Sequence, residues 1–385
     1  MKITVEKSKL LDKLAPAMGS VSNRNTITAI EGVLIDALES GEVQISTYDM
    51  NKGFRAYIDA VEVERCGSYI INAQRLLQVV RALSDDLVTI EVNDKLNCVI
   101  TSENSSFSMF AIDGKEFPNL PDLITERGFT VSAEIFRNMI QKVQHSIADQ
   151  DTRPMLCGAF FKIDKNGIEA VSCDSYTLSK CNMKCEIGSL ASDGDVSYSF
   201  IIPGHAVNEL IKVLGDGDEE TVRIYLSRKH AIFKKDDVVF FTRTIDLEYI
   251  DYNKIIPKNN TIKVILDRER LLSGLERANI IADERIQGSA RRYVKVSIDH
   301  YNLDLESVSV NGSVKDTMAC VHEGREIVIG FNCRYLINSI KAAEGEKIIM
   351  TLEDPSRAIT VEPYEKDDKF DYFYMLLPVR MTDNK

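Results

Sequence analysis

Eight cysteines and five histidines are the residues whose types could hold a metal or attack a substrate, and their spacing supports neither. The thiols are Cys66, Cys98, Cys157, Cys173, Cys181, Cys185, Cys320 and Cys333. They form no Cys-x-x-Cys pair, and they are too sparse in 385 residues for a disulfide scaffold. Cys181 and Cys185 lie closest, but their segment reads as strand or loop with no histidine nearby to complete a tetrahedral set. His145, His205, His230, His300 and His322 are scattered without ligand spacing. The acidic run from Asp216 to Glu220 lacks the alternating ligands and distal glutamate of a calcium loop, and reads as a solvated turn after a helix ending at Leu214. The phosphate-binding Gly-x-x-x-x-Gly-Lys-Ser/Thr loop, His-Glu-x-x-His, Gly-x-Ser-x-Gly and a strand-following Gly-x-Gly-x-x-Gly are all missing. The expectation is a chain with no catalytic residues, no metal and no cofactor.

The elements that would position any site come in copies. Residues 3–14, 129–140 and 262–275 each begin with alternating apolar residues and then switch to apolar residues three or four apart, a strand running into an amphipathic helix. A second strand–helix unit recurs midway, at residues 69–80, 200–211 and 327–337. Asn72 and Asn332 are placed to cap their helices, and Gly215 and Gly345 to close helices in the left-handed conformation. Between these units the chain alternates as strands do, as in residues 34–38, 43–46, 161–164, 222–225 and 294–298, with turns at Ser40–Glu42 and Lys165–Gly167. A late strand is also copied, Phe110–Asp113 in Arg243–Asp246. The period is about 130 residues, that of whole domains rather than solenoid units. Domains are expected at 1–125, 126–258 and 259–385, with junctions near 123–128 and 258–261. Each should hold two helices packed on one side of antiparallel sheets, an α+β architecture.

Charge separates along the same lines. The net charge of −12 argues by itself against a polyanionic partner. Yet the six helical segments, taken as 6–14, 72–83, 132–144, 204–214, 267–278 and 332–342, carry net +6, so the remainder carries −18. Tandem copies closed into a ring with helices inside would have a basic bore and an acidic rim, drawing in phosphates while discouraging contact elsewhere. Lysine-rich helix faces are common on any protein. Here aromatics and base-reading signatures are scarce, which suits backbone contact without sequence readout. Apolar residues make up 44% of the chain, no apolar run nears the roughly 20 residues of a bilayer span, and the charged start is unlike a signal peptide. No membrane partner and a cytoplasmic location are expected.

With repeats and charge in view, the chain resembles the bacterial DNA polymerase III beta sliding clamps over essentially its whole length. Phe117-Pro-Asn-Leu-Pro121 resembles the family's close of the first domain, and residues 150–158 its opening of the second domain's sheet. Ser172-Cys-Asp-Ser-Tyr-Thr-Leu178 is similar to the family's Ala-Thr-Asp-Gly-His-Arg-Leu, keeping Asp174 and Leu178. Tyr374-Met-Leu-Leu-Pro-Val-Arg-Met381 resembles its C-terminal Val-Met-Pro-Met-Arg-Leu. Gly-His-Arg becomes Ser175-Tyr176-Thr177, removing a positive charge and adding an aromatic wall. The first-domain Thr-Leu-Pro-Ile-Leu becomes Thr26–Ile30, and Thr382–Lys385 run past the usual end.

The resemblance implies a DNA polymerase processivity factor, a head-to-tail homodimeric ring of three-domain chains around duplex DNA. It implies dimer contacts by Phe107 and Met109 on an edge strand and by Ile280 and Ile281 on a third-domain helix. An apolar pocket for partner peptides would use Leu156, Cys173, Ser175, Tyr176, Thr177, Leu178, Ile250, Lys254, Ile255, Arg357, Met375, Leu376, Leu377, Pro378, Val379, Arg380 and Met381. DNA contacts carried over by resemblance are Arg24, Gln150 and Arg153, and helix charge adds Arg75, Arg81, Lys142, Arg334 and Lys341. Implied partners are double-stranded DNA without sequence preference, a second copy, the replicative polymerase, an ATP-driven clamp loader, and repair polymerases and other proteins carrying clamp-binding motifs. The competing readings are a DNA-processing enzyme with an unrecognised site and a repeat-built interaction scaffold independent of DNA.

Overall fold

In the computed structural model of the chain, the structure describes residues 1–22, 27–121, 123, 125–191, 194, 196–215, 217, 220–282, 293–309 and 312–381. All six strand–helix switches lie among them. The helices are α1 (Lys7–Ala17), α2 (Ala73–Ala82), α3 (Ala133–Val143), α4 (Gly204–Leu214), α5 (Arg268–Ala282) and α6 (Cys333–Ala342), each fed directly or after one residue by a strand. The first switch shows the cause. Ile3 and Val5 alternate inward from the strand Lys2–Glu6, and Leu10, Leu14 and Ala17 then line one helical face.

The expected caps form. Asn72 Oδ1 accepts from Arg75 N at 3.0 Å and Asn332 Oδ1 from Arg334 N at 3.1 Å. Gly215 closes α4 at φ 67°, its N–H donating to Ile211 O at 3.3 Å. Gly345 differs from expectation. It is left-handed at φ 87°, but α6 ends at Ala342, so Gly345 instead shapes the turn into the strand Lys347–Leu352 and accepts from Arg268 Nε at 2.9 Å. The copied late strand also differs. Phe110–Asp113 lies within Ser105–Asp113, whereas the strand Val238–Arg243 ends at Arg243, and Thr244 N turns away to Lys229 O.

The chain packs as two compact units, one of Met1–Arg137, Ile187–Val196 and His205–Asp246, the other of Asn138–Glu186, Ser197–Gly204 and Leu247–Lys385. The first holds a 14-stranded sheet, the second a nine-stranded and a four-stranded sheet. The middle repeat is shared between the units because its strands pair with those of both neighbours. In the first unit Val238–Arg243 runs antiparallel to Lys52–Asp59, setting Phe240 opposite Phe54, both fully buried. Beneath lies a core of Ala29, Tyr48, Ile70, Phe117, Ile232 and Phe241. A Cβ on Gly53 would fall 2.2 Å from the Phe241 ring, so the close approach requires glycine. In the second unit Thr177–Met183 pairs with Phe370–Leu376, setting Leu178 opposite Met375. Within their units α1 packs on α2 and α5 on α6.

Candidate peptide-binding and nucleic-acid interfaces

Residues 172–178 form a hairpin between two strands of the nine-stranded sheet, Gly167–Cys173 and Thr177–Met183. Asp174 sets its turn, accepting from Tyr176 N at 2.9 Å and Thr177 N at 2.6 Å, while Ser175 takes a left-handed φ of 79°. The turn holds Tyr176 outward, 58% exposed, and Thr177 and Leu178 inward. Thr177 Oγ1 donates to Ser146 Oγ at 2.9 Å, the start of a buried chain that continues to Ser179 at 2.7 Å and His145 Nε2 at 3.1 Å. Burial pushes the His145 imidazole down to about 4.

The C-terminal residues run alongside this hairpin. Met375 and Leu376 are buried in the last strand, Leu377 N donates to Tyr176 O at 2.8 Å, and Val379 N donates to Gly330 O at 2.8 Å. Leu377 and Val379 leave the sheet partly exposed at 41% and 37%. Met381 lies against Gly330, where a Cβ would meet its Cγ at 2.8 Å. Thus Leu156, Cys173, Leu178, Met375 and Leu376 are buried wall, and Tyr176, Leu377 and Val379 are accessible apolar surface with Pro378 between them half-buried. The buried Cys173 thiol is pushed up by its surroundings and is no nucleophile. Ile250, Lys254 and Ile255 sit on the segment that follows the strand Val238–Arg243, which Tyr249 and Tyr252 anchor. Tyr249 stacks on Phe160 at 5.0 Å, and the Tyr252 hydroxyl binds Glu169. Lys254 is paired with Asp251 at 2.7 Å, and Arg357 lies on a separate turn that closes on Asp354.

Two features beside the hairpin escaped the sequence reading. Tyr335 of α6 stacks on Tyr176, ring centroids 5.6 Å apart and 19° between planes. Asp151 grips Arg153 through both Nε and Nη2 at 3.1 Å and is held down to about 2 chiefly by those bonds. Arg153 also donates to Ser175, tying the loop to the hairpin.

Of the DNA-contact candidates, Arg75 and Arg81 stand exposed on α2, Gln150 and Arg153 on the loop before Pro154, and Arg334 and Lys341 on α6. Lys341 meets Glu276 at 2.8 Å. Arg24 lies outside the described residues, as do Asp216, Asp218 and Glu219 of the acidic run. Lys142 is a correction. It is 3% exposed, its ammonium 4.1 Å from the Tyr372 ring centroid and 2.7 Å from Glu344, so its charge is used inside the fold and cannot meet phosphate.

Two dimer candidates lie on an open strand edge and two at the end of a helix. Only Ala111–Asp113 of the strand Ser105–Asp113 pair with Gly67–Asn72, whereas Ser105–Phe110 pair on one side alone, with Asn97–Ser102. The strand is an edge over its first six residues only, and these include Phe107 at 37% exposure, half-buried Met109, and Phe110, missed in the sequence, at 86%. In the other unit Ile280 is 71% exposed on the last turn of α5, with Ile281 half-buried beside it. The strand Ser313–Ala319 is one edge of the four-stranded sheet, fastened to α5 by Asp316, which pairs with Arg270 at 2.5 Å and Arg277 Nε at 2.7 Å.

Six strand-fed helices on antiparallel sheets, in three tandem copies, define a clamp-type protein of α+β class, and clamps are non-catalytic processivity factors. The DNA polymerase III beta subunit family matches in order, its N-terminal domain over residues 1–121, its central domain over 130–251 and its C-terminal domain over 253–380. The chain belongs to that family. The beta sliding clamp of Bacillus subtilis is 26% identical over 387 residues, covering 99% of this chain and 100% of that one. The crystal structure of the Bacillus subtilis DNA polymerase sliding clamp aligns with TM-score 0.87 and 25% identity. That of a sliding clamp from Bartonella birtlesii bound to griselimycin aligns with TM-score 0.88 and 27% identity. Each structure covers 99% of this chain and is itself covered entirely.

Proposed function

We propose that two copies of this chain close head to tail into a ring around duplex DNA and hold polymerases there, in the cytoplasm. The observation that carries this reading is the full set of three consecutive clamp domains, 1–121, 130–251 and 253–380. A head-to-tail contact either closes a ring or propagates a filament. The two open edges suit such a contact. The unpaired half of Ser105–Asp113, with Phe107, Met109 and Phe110, would add to the edge strand Ser313–Ala319 of the second copy, with Ile280 and Ile281 alongside.

Arg75, Arg81, Arg334 and Lys341, with Gln150 and Arg153, would meet phosphates without reading bases. Glu6 and Asp267 fall on strands rather than helices, so the helices carry net +8, more than the sequence segments suggested. The replicative polymerase, repair polymerases and other motif-bearing proteins would share the surface of Tyr176, Leu377 and Val379, where buried Met375 and Leu376 back an adaptable apolar wall. A clamp loader would open the ring, because the chain has no nucleotide-binding loop of its own.

The test is solution mass and topology. A dimer near twice 43.3 kDa, retained on circular DNA and lost from linear DNA, is expected. Equal retention on both would overturn the ring, and retention on neither by a stable monomer would favour a scaffold independent of DNA.

A further inference from the structure

The pair Tyr176–Tyr335, the first exposed and the second half-buried, sits on the rim of the proposed peptide surface. Its ring centroids lie 5.6 Å apart with 19° between planes, so one π face of each ring is used, and Tyr176, 58% exposed, keeps its other face as an aromatic platform. Leu377 is fixed beside it by its hydrogen bond to the Tyr176 carbonyl, so a chain anchored on Leu377 passes the platform within a residue or two. The surroundings are acidic. Asp174 holds its carboxylate under the Tyr176 turn by two backbone N–H bonds. The Tyr335 hydroxyl is pushed up first by burial and then by Asp174, Tyr176 and Asp149. The described cation fastened to this hairpin is Arg153, and Asp151 neutralises it in a two-pronged pair. Arg380 follows Val379, which is pinned onto Gly330.

We propose that this platform is the specificity-determining subsite of the peptide surface and takes a cationic side chain, arginine before lysine, carried beside the apolar anchors of the partner segment. The inference rests on the reading of this surface as a peptide-binding site. A guanidinium stacks flat on tyrosine and keeps its N–H groups for Asp174 and Asp149, whereas an ammonium gains the charge term without the stacking. A glutamate in the same place would face two carboxylates.

The test uses the full-length protein and fluorescein-labelled nonapeptides with leucine and phenylalanine anchors and alanine elsewhere, each alanine replaced in turn by arginine, lysine or glutamate. Binding is read by fluorescence anisotropy. Arginine at one flanking position should tighten binding about five-fold, lysine less, and glutamate should weaken it, as expected for a partly exposed cation–π contact with added charge. The arginine advantage, taken as a ratio to the alanine peptide, should fall to about one in Tyr176→Ala, persist in Tyr176→Phe, and shrink in Asp149→Asn and at high salt. A flat arginine scan, or an advantage unchanged in Tyr176→Ala, overturns the subsite while leaving the peptide surface standing. If the alanine peptide itself fails to bind, the peptide surface falls and the subsite with it.

Discussion

Lys142 separates the structure from a charge-counting argument, and replacing it tests both. Lys142→Ala removes about three methylenes packed among buried neighbours, worth ~2.4 kcal/mol at ~0.8 kcal/mol each. It also removes the ammonium from the faces of Tyr372, at 4.1 Å, and Phe370, at 5.2 Å, worth about 1–2 kcal/mol in a desolvated setting. The ion pair adds at most about 1 kcal/mol, because the Glu344 side chain is 64% exposed and rehydrates when released. Returning no charge to a buried site refunds some desolvation, so the net loss should be about 2–4 kcal/mol. Lys142→Met keeps the stem and loses only the charge, and should fall within about 1 kcal/mol of the parent. Urea unfolding measures both, and retention on circular DNA across a salt series measures the other arm. Neither variant should change the slope of log K against log salt, whereas Arg75→Ala should lower its magnitude by about 0.9, one phosphate's share. A Lys142→Met protein as stable as the parent but with that reduced slope would refute the burial argument and return Lys142 to the DNA-facing set.

Three further outcomes follow. Phe110→Asp alters a side chain 86% exposed in the single chain, so it should leave thermal stability within about 0.5 kcal/mol while sedimentation shows monomer in place of dimer. An unshifted dimer would exclude Phe110 from the interface. His145 is held neutral down to about 4 in the folded protein against an ordinary value of 6.5, so the unfolded chain takes up a proton first. Stability should therefore drop by roughly 2–3 kcal/mol as pH falls from 6.5 to 4, with the loss from this group levelling off below about pH 3, and His145→Phe should flatten that limb in pH-dependent urea melts. Asn72→Ala should cost about 1 kcal/mol by orphaning the Arg75 N–H at the start of α2, with Asn72→Ser recovering most of it.

The strand–helix switches were legible because each is local. Residues 3–14 change period from two to about 3.6 within one window, and the helix begins at Lys7, one residue after that strand ends. Asn72 and Asn332 were legible for the same reason, since a cap bonds two or three residues on. What sequence could not place came from distance along the chain. Tyr176 meets Tyr335 across 159 positions, and no periodicity reports such a stack. Lys142 lies on a helix whose charge count suggested solvent, yet the last strand carries Tyr372 and Phe370 to its ammonium. Gly345 was read as a helix cap from its position, but the helix stops three residues earlier and the glycine serves the next turn. Arg270 and Arg277 balanced acids within their own helix on paper, while in space both answer to Asp316 on a neighbouring strand.

The strand pairing of Lys52–Asp59 with Val238–Arg243, and of Thr177–Met183 with Phe370–Leu376, puts the compactly packed blocks out of phase with the repeated blocks. Cutting the chain at repeat borders severs a sheet wherever the knife falls and bares a ladder of unpaired amides, a surface prone to self-association. Fragments divided by ancestry should therefore clump. A partly unfolded intermediate would keep half of the middle repeat rather than shed it whole.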